Sequence, residues 1–163
     1  MNWMTIAVPL ATLILGALLS QFSELWRQKR ARSQALEDAL RAKRAESYAG
    51  FLDAAHTAAH QLGRSAPGCP HPLELSGEQY WRADSETART LRLIQLVASD
   101  QVSELAASVQ SELIAFRDAL HDPNNSKPIR YDSAEYWAAY APYQGARNAF
   151  VRTARSEVTT VSS

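Results

Sequence analysis

Charge is missing from the start of this 163-residue chain: between Met1 and Ser23 there is no Asp, Glu, Lys or Arg. A stretch that long without charge argues against a water-facing segment there. Cysteine is nearly missing too. Cys69 stands alone, which excludes an intramolecular disulfide framework and fits a reducing compartment. With 6 glycines in all, no Gly-rich phosphate loop is present, and neither G-x-S-x-G nor H-E-x-x-H occurs. Acidic residues are spread at solvent spacings rather than clustered, so no catalytic constellation emerges and the expectation is a non-enzyme without a cofactor. Net charge is also lacking, with 17 basic and 17 acidic side chains. Residues 47–163 carry 10 basic against 13 acidic groups, which removes the electrostatic case for nucleic acid. No internal repeat or low-complexity segment is seen.

What fills the uncharged start is apolar. A bilayer core of about 30 Å needs about 20 apolar helical residues, and Trp3 to Phe22 supplies 20. The hydroxyls of Thr5, Thr12 and Ser20 can return to the helix backbone. Pro9 sits near the first turns, where a missing N–H is best tolerated. Trp3 and Trp26 bracket the segment, and indole rings favour the headgroup level. A cleaved signal peptide would carry its positive charge before the apolar run and a small-residue cleavage site after it. Here the charge follows, as Arg27, Lys29, Arg30 and Arg32. A buried core helix is disfavoured because the apolar residues cover every face. The expectation is therefore a single-pass anchor, residues 1–23, in the cell membrane. Residues 24–46 are net +3, and a positive flank stays inside. The N-terminus is then outside, the rest of the chain is cytoplasmic, and the bilayer is its first partner.

Behind the anchor, no proline occurs from Phe22 to Leu62, and Gly50 is the only glycine. Strong helix formers dominate, so one helix is predicted to about Leu62 with Gly63 as its C-cap. Between Arg27 and Ser47 the only large apolar residues are Leu36 and Leu40. That supplies no sustained a/d seam, so residues 24–47 read as a charged helical stalk. From Tyr48 the pattern changes: Tyr48, Phe51, Leu52, Ala55, Ala59 and Leu62 share an amphipathic face. Residues 65–77, rich in proline, read as a loop. Asp84-Ser85-Glu86 resembles a helix start. The run Leu91–Val97 fits helix or strand, and helix is chosen because no second strand candidate exists to pair with it. Ser99-Asp100 is a junction or fresh N-cap. Val102, Leu105, Ala106, Val109, Leu113, Phe116 and Leu120 then form the clearest helical face. Asp122 to Asn125 is a turn. Asp132 to Glu135 has the form of a capping box. It opens a last helix, kinked or broken near Pro142, with Tyr140, Tyr143, Arg147, Phe150 and Ala154 on one face. Residues 159–163 read as a frayed tail. The predicted fold is all-α: a transmembrane helix continuing as a stalk into an antiparallel bundle of about four helices, residues 48–158.

The anchor, the basic stalk, Arg44-x-x-x-Tyr48-x-x-Phe51-Leu52, the central Leu/Val-rich helix pair and Ala146-Arg147-x-x-Phe150-x-x-x-Ala154-Arg155 together resemble small single-pass membrane proteins of high-GC bacteria. That resemblance implies an anchored helical bundle and no activity. The layout is also similar to ATP-synthase b subunits, but Pro67–Pro72 and Pro142 interrupt the unbroken stalk that such a role needs.

Three groups of residues are candidates for chemistry. His56 and His60 lie at i, i+4, a spacing that suits a shared metal. With Cys69 and His71 they would make a tetrahedral zinc site; the competing reading is two helix histidines and an unrelated loop. Tyr80, Trp81, Tyr136 and Trp137, with Tyr131, Tyr140 and Tyr143, would form a recognition surface or fill the core. Trp3, Trp26 and the cluster Arg27, Lys29, Arg30 and Arg32 would sit at the membrane interface, set the topology and hold anionic lipid. The first functional expectation is a membrane-tethered interaction module that binds a protein partner or itself. The alternatives are a zinc sensor and a membrane-acting effector.

Overall fold

The computed structural model describes the backbone of residues 4–122 and 127–159, and side chains from Trp26 onward within those ranges together with that of Glu24. The helices are α1 (Met4–Ser65), α2 (Gly77–Arg82), α3 (Ser85–Val97), α4 (Asp100–Leu120) and α5 (Ala134–Thr159). Among the described residues there is no strand, so the fold is all-helical and Leu91–Val97 is helix, as expected. The predicted anchor with Trp3, the turn at Pro123–Asn125 and the tail beyond Thr159 lie outside the fully described residues. Among those that are described, no helix is long and apolar enough to cross a membrane.

The chain divides into two compact units, Met1–Leu40 and Arg41–Ser163. In the first, every described side chain is exposed, including Arg27, Lys29, Arg30 and Arg32. Trp26 is 63% and Leu36 72% exposed. Two leucines in this charged sequence offer no apolar stripe to bury.

The second unit is a bundle, and its helix directions follow from which residues meet. At one end Arg44 of α1 donates from Nε to the carbonyl of Val97, where α3 finishes, at 2.6 Å. The same guanidinium pairs with Glu157 near the end of α5 at 3.1 Å. Glu157 in turn accepts from the backbone N–H and the hydroxyl of Ser99, just before α4. At the other end Gly63 lies against Tyr136 of α5, and Tyr80 of α2 donates its hydroxyl to the Arg117 carbonyl of α4. The distal part of α1, α3, α4 and α5 therefore alternate in direction, an up-down-up-down bundle, with α2 closing one end.

The buried faces match the sequence periodicities. Phe51, Ala55 and Leu62 of α1, Val102, Ala106, Val109, Leu113 and Phe116 of α4, and Tyr143, Phe150 and Ala154 of α5 form one core with Ile94 of α3. Ser99 caps α4, its hydroxyl accepting from the Val102 N–H.

Several local expectations are corrected. The helix α1 does not stop at Gly63 but continues to Ser65, and Gly63 serves packing instead of capping. The segment 65–77 yields its end to α2, which starts with a reciprocal capping box between Ser76 and Gln79. Asp84 occupies the N-cap position of α3 without making the cap hydrogen bond. Its carboxylate turns inward to Gln110 Nε2 at 3.1 Å and Arg117 at 2.9 Å. The cap of α5 is Ser133, not Asp132: the Ser133 hydroxyl accepts from the Tyr136 N–H at 3.1 Å, while Asp132 takes a left-handed φ of 62°. Pro142 lies inside an unbroken α5. Both Pro142 and Ala138, whose carbonyl the ring leaves without an N–H, are exposed, so water can serve that carbonyl.

Candidate functional site

Two of the candidate groups meet in space. Positions 56, 60 and 63 recur along one side of α1, and positions 136, 137 and 140 along one side of α5. Where the two helices pass, His56, His60, Gly63 and Arg64 face Tyr136, Trp137 and Tyr140, with Tyr131 from the preceding loop, around a cleft of about 180 Å³. A cleft of this size admits one side chain or a small ligand, below the usual range of about 300–1,000 Å³ for drug-sized molecules.

The aromatic wall is a connected set of rings. Tyr136 packs on Tyr131 at 5.2 Å and edge-on to Trp137 at 5.3 Å between centroids. Trp137 meets Tyr140 at 5.9 Å, and Phe116 backs Tyr136 at 5.6 Å. Such offsets are the favoured aromatic geometries. Burial, then the neighbouring phenols of Tyr131 and Tyr140, pushes the Tyr136 hydroxyl up to about 12, so at neutral pH it keeps its proton and can donate. Trp137 remains 46% exposed. Its indole is nonetheless oriented, because Nε1 donates to Asp132 Oδ1 at 2.9 Å. The displaced Asp132, expected as a helix cap, thus fixes the ring at the cleft mouth.

Gly63 sets the closeness of the two helices. A Cβ added there would lie 2.5 Å from Tyr136 Oη, and Tyr136 is buried among its ring neighbours. Gly63→Ala gains about 1 kcal/mol of helix propensity but overpacks the contact at a cost of about 1–3 kcal/mol. The expected result is a net loss of about 1 kcal/mol in urea unfolding, with a changed near-ultraviolet dichroism from the displaced tyrosine. A gain in stability would mean that Tyr136 yields freely.

The imidazoles of His56 and His60 are exposed and nearly parallel, 6.2 Å apart with 14° between planes. Cys69 and His71 do not join them. Among the described residues no three His, Cys, Asp or Glu side chains gather as a metal-binding group. The loop is held otherwise: Arg64 Nε donates to the His71 carbonyl at 2.8 Å, and the Tyr131 N–H donates to the Pro67 carbonyl. Those bonds fix the loop through its backbone and leave Cys69 half-buried.

The four rings that would form a recognition surface or fill the core divide between those two roles, with Trp81 and Trp137 about half exposed. Tyr80 and Tyr136 are buried, because ring area is worth more in a small core than on its surface. Trp81 belongs to a second cluster, 48% exposed, with the Arg117 guanidinium 4.7 Å above its ring and His121 at 5.8 Å. No ring of that cluster touches the cleft rings among the described residues. The sequence signals were the i, i+4 histidines and the tyrosine-rich start of α5; nothing in the sequence joined segments some 75 positions apart. No protein-family model, no curated protein and no solved structure matches this chain.

Proposed function

We propose that the chain is a membrane-tethered helical interaction module. Residues 1–23 anchor it as a single pass, the basic cluster from Arg27 to Arg32 keeps the remainder on the cytoplasmic side, and the bundle binds a protein partner at the mouth of the α1–α5 cleft. The anchor rests on the uncharged apolar run and its flank. The binding face rests on one observation: Trp137 stays 46% exposed while Asp132 holds its indole in one orientation over a cleft. An oriented, half-exposed tryptophan beside a pocket is the kind of residue that dominates protein interfaces, and its ordering cost is already met within the fold.

The test is chemical cross-linking in native membranes. A discrete adduct is expected from the wild-type chain, lost with Trp137→Ala and kept with Trp81→Ala. Both variants should retain wild-type helicity. An adduct that survives Trp137→Ala sinks the binding face. For the tether, deleting residues 2–23 should release the protein from the membrane fraction. A membrane-impermeant maleimide should label Cys69 only after lysis, and labelling in intact cells would overturn the orientation.

A further inference from the structure

We propose that His56 and His60 form a two-histidine chelate for a borderline divalent transition-metal ion such as Zn²⁺ or Ni²⁺, with water in the remaining positions. This chelate rests on the geometry of α1. The residues are one turn apart on α1, so their side chains stand on the same face. Their rings are nearly parallel, with centroids 6.2 Å apart. A tetrahedral ion with metal–nitrogen bonds of about 2.0–2.1 Å brings two imidazole centroids to about 5 Å. Rotation about the side-chain bonds of two exposed residues closes that gap without moving the helix. Neither imidazole hydrogen-bonds to another described residue, so binding breaks no hydrogen bond within the described residues; it only tightens the spacing of the His56–His60 ring pair.

The surroundings suit a cation that is only partly enclosed. Arg64, which lines the same cleft, is engaged through Nε with the His71 carbonyl at 2.8 Å. The cleft beside the histidines provides about 180 Å³ for bound water or an exchanging ligand. With two protein ligands rather than four, the site is weaker than a structural zinc site and keeps open positions. Imidazole nitrogen selects zinc, nickel and copper over magnesium and calcium, which favour oxygen. This differs from the four-ligand set with Cys69 and His71, and it does not depend on the cleft binding a protein.

The untagged full chain in detergent micelles is dialysed against Zn²⁺. One ion per chain is expected to bind saturably, and Mg²⁺ at the same concentration should not compete. His56→Ala and His60→Ala should each weaken binding by about tenfold or more, while Cys69→Ser and His71→Ala leave it unchanged. A second readout uses Ni²⁺, which should quench the Trp137 component of fluorescence, taken as the difference between wild type and Trp137→Phe. That quenching should disappear in His60→Gln. Binding that survives His60→Ala, binding lost with Cys69→Ser, or no saturable Zn²⁺ binding overturns the proposal. Circular dichroism of each variant shows that α1 is intact, and loss of the cross-linked adduct has no bearing on this result.

Discussion

Asp84→Ala should lower the unfolding free energy by about 3 kcal/mol, the lower end of the range for breaking a buried ion pair, and the melting temperature by about 10 °C. The carboxylate sits where α2 gives way to α3 and reaches across to α4. It accepts from Gln110 Nε2 at 3.1 Å and from Arg117 at 2.9 Å. The side chains of Arg117 and Asp84 are only 13% and 9% exposed. Removing the acid strands a guanidinium that also lies over the Trp81 ring and donates to the Trp81 carbonyl. Asp118, half exposed, remains as its second partner at 2.9 Å, which is why the expected loss is not larger. The rival account makes Asp84 a dipole-favouring residue at the start of α3, worth about 0.3–1 kcal/mol. The two differ in size and in salt response, since a buried pair is screened much less than an exposed charge. Asp84→Asn keeps an acceptor and should cost less than alanine. A loss below about 1 kcal/mol for Asp84→Ala, falling further in high salt, would leave the dipole account standing.

The same residue shows where sequence reading ends. Asp84-Ser85-Glu86 correctly marks the start of a helix, because acidic residues favour that position whatever else they do. The burial of the first carboxylate against α4 depends on a partner 33 positions away, and one-dimensional spacing carries no such information. Faces with a helical period were legible: Tyr48 to Leu62 and Val102 to Leu120 are buried or half-buried as their offsets require. Gly63 was readable as a helix stop only while its neighbour was unknown; with Tyr136 at its side, the missing Cβ is a packing requirement. The short helix α2 has a signal in Ser76-x-x-Gln79, but with 6 residues it is too short for periodicity to reveal it. The candidate site was half legible. His56 with His60, and Tyr136 with Trp137, are each visible as local pairs. Their meeting around one cleft is a product of the α1–α5 packing.

That packing supplies the second large expectation. Phe150→Ala should cost about 3–5 kcal/mol, the usual range for truncating a buried phenylalanine. Phe150 is 0% exposed and joins α5 to α1 by two edge-on contacts, to Tyr48 at 5.8 Å and to Phe51 at 5.2 Å between centroids. Each such pair contributes about 0.5–1.5 kcal/mol beyond area burial, and the cavity left behind adds to the loss because helices on both sides collapse only partly. Beyond the ring lies the polar end of the bundle, where Arg44 and Ser99 converge on Glu157. Tyr48 connects the two regions. Burial, reinforced by the Glu157 charge beside it, pushes its phenol well above the usual tyrosine range. A cavity at Phe150 frees Tyr48 to move, so Phe150→Ala and Glu157→Ala should not add: residues sharing a neighbour couple by about 0.5–3 kcal/mol. Phe150→Leu, which refills most of the space, should cost less than half as much as alanine. The measurement is urea unfolding of the full chain in micelles for the three single variants and the double. An alanine loss under about 1.5 kcal/mol, or strict additivity with Glu157→Ala, would show that Phe150 is not the ring that ties the two helices together.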